Sequence, residues 1–313
     1  MNVFFLAAGL GTRFKPLTDK YPKPCIPFLN VPMGLYQFRF LHQLKITTCV
    51  ANSFHLPEQI KQLYSAQPYY KNKIIISSEV GQILGSAGGL KNAAQYFSAD
   101  ETILMLNADE IFFTPDSLFL QKAYAQHLKN KNLATLIVTA HPEAGKKFGA
   151  IWTHGSIVKN IGKTSANPTL IPQHYIGAIF LNKKILQLIP KNQEANIFYD
   201  ILVKQLTDNS VEAYNLDCQW YETGNATDYI AAMQAALKSL DAKTLDFINQ
   251  YDSSKLVKNP IGRSLISNTI NINEKNLYGF NTIAKSTNPQ NLVVSKKIEN
   301  QVLFDNVSFG GAK

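Results

Sequence analysis

The stretch "LAAGLGTRFKPLTDKYPKPCIPF", residues 6–28, follows directly on the first apolar run and decides how the rest of the chain is read. It sets Gly9, Gly11, Arg13 and Lys23 on a loop stiffened by Pro16, Pro22, Pro24 and Pro27. Glycine lets backbone amides approach a ligand closely, and fixed cations beside such amides attract phosphate. Two known phosphate motifs are excluded. A P-loop needs Lys followed by Ser or Thr after its spaced glycines, and no such run follows Gly9 or Gly11. A dinucleotide fingerprint needs a third glycine where Phe14 stands. What remains is G-x-G-T-R, then P-K-P. Arg13 can grip phosphate oxygens in bidentate fashion, whereas Lys23 is a compact point charge held between two prolines. Cations preorganised in this way stabilise charge on a transferring phosphoryl group.

Outward from the loop, short apolar runs alternate with helical patterns. "VFFLAA", "TTCVANS", "KIIISS" and "TILMLNAD" read as strands; "MGLYQFRFLHQLK", "PEQIKQLYSA" and "SAGGLKNAAQYF" read as helices. The fold class is therefore α/β, a Rossmann-like, mostly parallel sheet with helices on both faces. "NLATLIVTA", "FGAIWTHGSIVKNI" and "YIGAIFLN" add later strands and a hairpin layer. "NATDYIAAMQAALKSL" closes this part as a helix, with Asn225 as N-cap and Ile230, Met233, Leu237 and Leu240 on one face. Residues 1–242 form the core domain. Residues 243–313 form a small C-terminal extension, β-rich or irregular, suited to subunit contacts in a homo-oligomer. There Leu292, Ile298 and Phe304 stand six apart, a hint of a short left-handed β-helix.

Composition narrows the partners. With 45% hydrophobic and 17% charged residues, the 313-residue chain can bury a sizeable core. Its net charge of +9 is spread: residues 1–234 hold 21 basic against 16 acidic side chains, and residues 235–313 hold 10 against 6. No basic tail or stripe appears, which favours an anionic small substrate over nucleic acid. Cys25, Cys49 and Cys218 are odd in number and far apart, so neither a disulfide framework nor a zinc site is expected, and a reducing cytoplasm is the expected location. No apolar run nears the ~20 residues of a membrane span. His42, His55, His127, His141, His154 and His174 lack metal-ligand spacing.

The run "LAAGLGTRFKPLT…PKPCIP", with "ILGSAGGL", "LNAD" and "WYETG" further on, resembles the signature of the sugar-1-phosphate nucleotidyltransferases over roughly residues 1–240. The resemblance implies in-line attack of a sugar-1-phosphate oxygen on the α-phosphate of a nucleoside triphosphate, with pyrophosphate leaving and Mg²⁺ as cofactor. It makes Arg13 and Lys23 the catalytic phosphate-handling residues. It gives Leu6, Ala7, Ala8, Gly9, Gly11, Thr12, Glu79 and Gly85 to the nucleotide. In the glycine run, Gly85, Gly88 and Gly89 would let a base edge meet the backbone, and Ser86 would cap the helix behind. Asp109 stands where a buried strand delivers a carboxylate to the edge of the sheet, and the family places a metal ligand there. Glu222 replaces the usual aspartate of the second metal-binding segment. Glu110 is expected to be solvated.

The acceptor half departs further from the pattern. Phe148-Gly149 keeps a glycine but loses a phenol, Lys163 stays as the sugar-phosphate contact, and Gly162 replaces the glutamate that would grip sugar hydroxyls. Gly177 remains where the family has N-A-G, without the asparagine. The L-G-S-A-G-G-L form is nearest to mannose-1-phosphate guanylyltransferases, with N-acetylmuramate-1-phosphate uridylyltransferases similar, so GTP and mannose-1-phosphate are the leading pair. Two alternatives stand beside it: a non-catalytic, nucleotide-sugar-binding regulatory subunit, and a cytidylyltransferase acting on phosphocholine.

Overall fold

The computed structural model describes residues 1–65, 73–260, 262–268, 270, 277–278, 280–283, 298–299, 301–304 and 307–310. A sheet of nine strands runs through the core in the order Ile74–Ser78, Thr48–Ser53, Asn2–Leu6, Thr102–Asn107, Ile171–Asn182, Ala134–Thr139, Val211–Asn215, Ile157–Gly162, Ala150–His154. The first four strands are mutually parallel. Parallel neighbours need crossovers, and the helices Pro57–Ser65 and Gly85–Ala93 supply two of them. Ile171–Asn182 then runs antiparallel to both of its neighbours, and a hairpin of Ala150–His154 with Ile157–Gly162 forms the far edge.

Both faces of the sheet are covered, and the alternation of the first strand shows how. Val3 and Phe5 enter one cluster, with Ile60 and Tyr64 of one helix and Met233 and Leu237 of the helix Ala226–Lys238. Phe4 enters the opposite cluster, with Ala87 and Leu90. Asn225 caps the helix Ala226–Lys238 as expected, its side chain accepting the Asp228 amide. "MGLYQFRFLHQLK" is not one helix. It breaks into a turn at Met33–Leu35 and the short helix Phe38–Leu41, because Tyr36, Phe38 and Phe40 are all buried and cannot share one helical stripe.

The C-terminal part stacks short strands on this core. Gly262–Ser267 pairs in parallel with Asn281–Ile283, which pairs in parallel with Gln301–Phe304. Successive side chains face opposite ways: Leu265 and Val302 join the main core, while Ile266 and Leu303 form a small cluster with Ile270, Leu277 and Ile283. Asn30 ties the two parts, donating to Ser254 and to the Ile283 carbonyl, both at 3.1 Å. Leu292, the first residue of the six-residue spacing, lies outside the described residues. The three cysteines are free. No helix among the described residues is long and apolar enough to cross a membrane.

Candidate active site

The first strand lies between its parallel neighbours Thr48–Ser53 and Thr102–Asn107: the chain adds Thr48–Ser53 and Ile74–Ser78 on one side of it, then crosses to Thr102–Asn107 on the other. This is a switch point, where open α/β sheets leave a crevice outside the carboxyl ends of the strands. A cleft of about 360 Å³ sits there, lined by Leu6, Ala7, Gly9, Gly11, Thr12, Arg13, Lys23, Pro24, Asn107, Asp109 and Gly224.

The loop is shaped from within. Gly11 has φ 61°, a left-handed conformation, and its carbonyl accepts the Thr18 hydroxyl at 2.9 Å. A Cβ at Gly11 would come within 2.8 Å of the Thr18 methyl group. The turn Thr12–Phe14 follows, and Phe14 anchors it by packing edge-on to buried Tyr229, centroids 5.3 Å apart. Arg13, exposed on this anchored turn, projects into the cleft. Lys23 opens a second turn, Lys23–Cys25, and Pro22 before it is extended with ψ 142°. The Lys23 side chain is 12% exposed, and its Nζ donates to Asp109 Oδ2 at 2.6 Å. The loop and the fourth strand of the parallel set thus meet through one ion pair.

The "WYETG" segment closes the cleft from the other side. Thr223 donates its hydroxyl to the Asp109 carbonyl at 2.9 Å. Glu222 turns back on its own loop, Oε1 accepting the Gly224 amide at 2.5 Å. A Cβ at Gly224 would stand 2.5 Å from Glu222 Oε1 and 3.2 Å from Arg13 Nη1, so the absence of a side chain there lets the guanidinium lie across the loop. Gly224 and Asn107 line the cleft and were not singled out beforehand, while Pro24, which flanks Lys23, lines it too. The first two were each visible inside a quoted motif, Gly224 in "WYETG" and Asn107 in "LNAD".

Asp109 offers a half-exposed carboxylate beside the cationic loop, and Glu222 offers one on the facing loop. Among the described residues no group of three or more His, Cys, Asp or Glu side chains converges. A Mg²⁺ ion held by one or two carboxylates and completed by phosphate and water oxygens does not need one.

The remaining residues fall behind the cleft or beside it. Glu79 is buried, 6% exposed, and burial raises its pKa against the opposing hydrogen bonds from the Leu84 amide and Asn52. Gly85 has φ 68° and begins the helix Gly85–Ala93, with the Ala195 carbonyl where a side chain would be. The expectation for Gly88 and Gly89 is corrected. Gly88 abuts the Gln193 carbonyl and Gly89 abuts Asn52 and Glu79, so protein backbone and side chains fill the space assigned to a base. Ser86 is not an N-cap; its Oγ accepts the Ile197 amide at 2.8 Å.

Gly149 lines a separate chamber of about 190 Å³ with Phe148, Ile151, Ile161, His174, Tyr175, Phe198 and Tyr199 among its walls. Lys163 is exposed just after the strand Ile157–Gly162 and lines neither space. Gly177, φ 80°, sits at the register shift in Ile171–Asn182, where a side chain would collide with Glu110. Glu110 is not solvated. Trp220 Nε1 donates to its Oε2 at 2.8 Å, and burial drives its carboxyl pKa upward, with neighbouring Asp109 adding to the rise. Trp220 in turn packs on His174 with the rings tilted by 56°, centroids 4.1 Å apart, and both touch Phe148 and His141 at 5.3–5.5 Å. Burial and His141 hold His174 neutral, its pKa lowered to about 4.

With this geometry in view, comparison with known proteins is direct. Residues 3–239 match the family described as nucleotidyl transferase. The chain belongs to that family. A UTP–glucose-1-phosphate uridylyltransferase of Synechocystis is 30% identical over 251 residues, 76% of this chain and 63% of that protein. A mannose-1-phosphate guanyltransferase of Eremothecium gossypii is 30% identical over 260 residues, 78% of this chain and 66% of that one. The matched part thus spans just under two thirds of each relative. Among solved structures, a UDP-glucose pyrophosphorylase from Acinetobacter baumanii shares the fold with a TM-score of 0.65 at 17% identity, covering 79% of this chain and 96% of its own. HddC from Yersinia pseudotuberculosis complexed with GMP-PN gives 0.60 at 19%, covering 75% and 98%.

Proposed function

We propose that the protein transfers a nucleoside monophosphate from a nucleoside triphosphate to a sugar-1-phosphate, releasing pyrophosphate. The observation that carries this reading is the convergence of Arg13, Lys23 and Asp109 in one cleft at the switch point, Lys23 Nζ 2.6 Å from Asp109. A phosphate oxygen of the acceptor attacks the α-phosphorus; the bond from that phosphorus to the bridging oxygen breaks, and pyrophosphate leaves with the electron pair. Positioning and charge neutralisation do most of the work in such a displacement. Arg13 and Lys23 bind and orient the triphosphate oxygens, and Gly9, Gly11 and Thr12 line the same space. Asp109 and Glu222 would hold a Mg²⁺ ion, which when bound neutralises triphosphate charge.

GTP with mannose-1-phosphate is the leading pair, supported by the L-G-S-A-G-G-L form and by the guanyltransferase relatives. The chamber beside Gly149 supports a second acceptor. Its walls include Phe148, Tyr175, Phe198 and Tyr199, and aromatic faces attract quaternary ammonium groups, so phosphocholine with CTP is the alternative. The test is pyrophosphate release with Mg²⁺ from GTP, UTP, CTP, dTTP and ATP, each against several sugar-1-phosphates and phosphocholine. Turnover in one combination names donor and acceptor. Silence in all of them, with nucleotide-sugar binding retained, would favour a non-catalytic subunit instead.

A further inference from the structure

Behind the cleft, two buried polar side chains join the two loops that would enclose the nucleotide. Asn52, 1% exposed at the end of the strand Thr48–Ser53, accepts the amides of Ala7 and Ala8 on Oδ1 at 2.6 and 3.1 Å. Its Nδ2 donates to Glu79 Oε1 at 2.7 Å. The other Glu79 oxygen accepts the Leu84 amide, also at 2.7 Å, and the Glu79 amide donates to the Ser53 carbonyl at 2.8 Å. A Cβ at Gly89 would press to 2.7 Å on both Asn52 Nδ2 and Glu79 Oε1, so the helix can lie over the pair only with glycine there.

We infer that Asn52 is a positioning residue for the nucleotide, fixing the loop after the first strand relative to the loop before the helix Gly85–Ala93, and that Glu79 acts through this tie and not on the base. The inference rests on the cleft being the nucleoside triphosphate site. Both Glu79 oxygens are engaged by protein donors and the residue is buried, which leaves it out of reach of a base edge. Ala7 and Ala8 have likewise committed their amides to Asn52, so phosphate meets the loop further along. A fully satisfied buried network of this kind holds its members in one arrangement. Displacing a positioned group by about 1 Å can cost on the order of a hundredfold in rate.

The donor and acceptor pattern makes a reciprocal exchange the decisive test. Asn52→Asp alone sets two carboxylates against each other. Glu79→Gln alone leaves one amide oxygen for two donors. Together they restore every bond: Asp at 52 accepts Ala7, Ala8 and the new amide of residue 79, whose oxygen accepts Leu84. The readouts are nucleoside triphosphate affinity by calorimetry, the separate KM values for nucleotide and acceptor, and the thermal midpoint of each variant. Each single variant is expected to weaken nucleotide affinity by roughly 10- to 100-fold, leaving the acceptor KM unchanged. The double variant is expected to return to within about threefold of the original. A double variant as weak as Glu79→Gln would mean that the Glu79 charge touches the nucleotide, overturning the inference. Single variants that lower only the thermal midpoint would overturn it as well. If the unaltered protein binds no nucleoside triphosphate, the reading of the cleft fails first, and the tie with it.

Discussion

On the nucleotide side of the cleft, Ala7, Ala8, Asn52, Glu79 and Leu84 are joined by hydrogen bonds of 2.6–3.1 Å. Beside the chamber at Gly149, His141, Phe148, His174 and Trp220 meet ring to ring, and buried polar atoms of Gln173, His174 and Tyr175 have no partner among the described residues. The first region spends its polar groups on holding backbone in place. The second holds shape by aromatic contact and keeps polar groups uncommitted, which costs stability unless water or a ligand completes them. A nucleoside triphosphate presents the same phosphates whatever the base, which under the proposed function asks for backbone amides and fixed cations more than for base-specific side chains. The ring cluster is drawn from three distant segments, residues 141–148, 174 and 220.

Substitutions can break this division or sharpen it. The largest effect is expected at Asp109→Asn, which removes the Lys23 partner and a metal donor; kcat should fall about 10³-fold, the scale of losing one preorganised electrostatic group. Gly224→Ala comes next, since its Cβ would meet Glu222 Oε1 and crowd Arg13. Nucleotide kcat/KM should fall about tenfold with the fold intact, as a displaced guanidinium would give. Trp220→Phe removes the indole donor to Glu110 while keeping an aromatic ring. The acceptor KM should rise roughly three- to tenfold with the nucleotide KM unchanged, as loss of one hydrogen bond implies. A rise in the nucleotide KM alone would show that the two regions are not separable.

The last effect leaves turnover aside and falls on stability. Burial lowers the pKa values of both His127 and His174 to about 4, so the unfolded chain takes up protons first as pH falls below ~6.5. Their contribution is complete above that pH and is lost between there and pH 4, roughly 3 kcal/mol per residue as an upper figure. Denaturant unfolding from pH 7 to 4 should show the decline, and His174→Phe should flatten it.

The nucleotide region was legible because its chemistry is local. Gly11, Arg13 and Lys23 lie within thirteen residues, and Asp109 ends a run whose apolar continuity marks a buried strand. The tie behind it was not legible. Asn52 looks like any residue closing a strand, and its partners are 27 and 45 residues away. Gly88 and Gly89 were read as open to a base because glycine signals close approach without saying to what. Glu110 was read as solvated from strand alternation alone, whereas the strand ends at Asn107 and Trp220, 110 residues later, covers the carboxylate. The sheet's antiparallel half was seen as strands, but only pairing reveals that Ile171–Asn182 reverses between two neighbours.

The most direct test of the account is pyrophosphate release by the protein and by Lys23→Ala, measured side by side with Mg²⁺ and the active donor and acceptor. The account predicts a loss of about 10²–10³-fold in kcat for the variant, with its thermal midpoint close to that of the original. Equal turnover by the two proteins would contradict it, because the cation at the centre of the cleft would then have no part in the transfer.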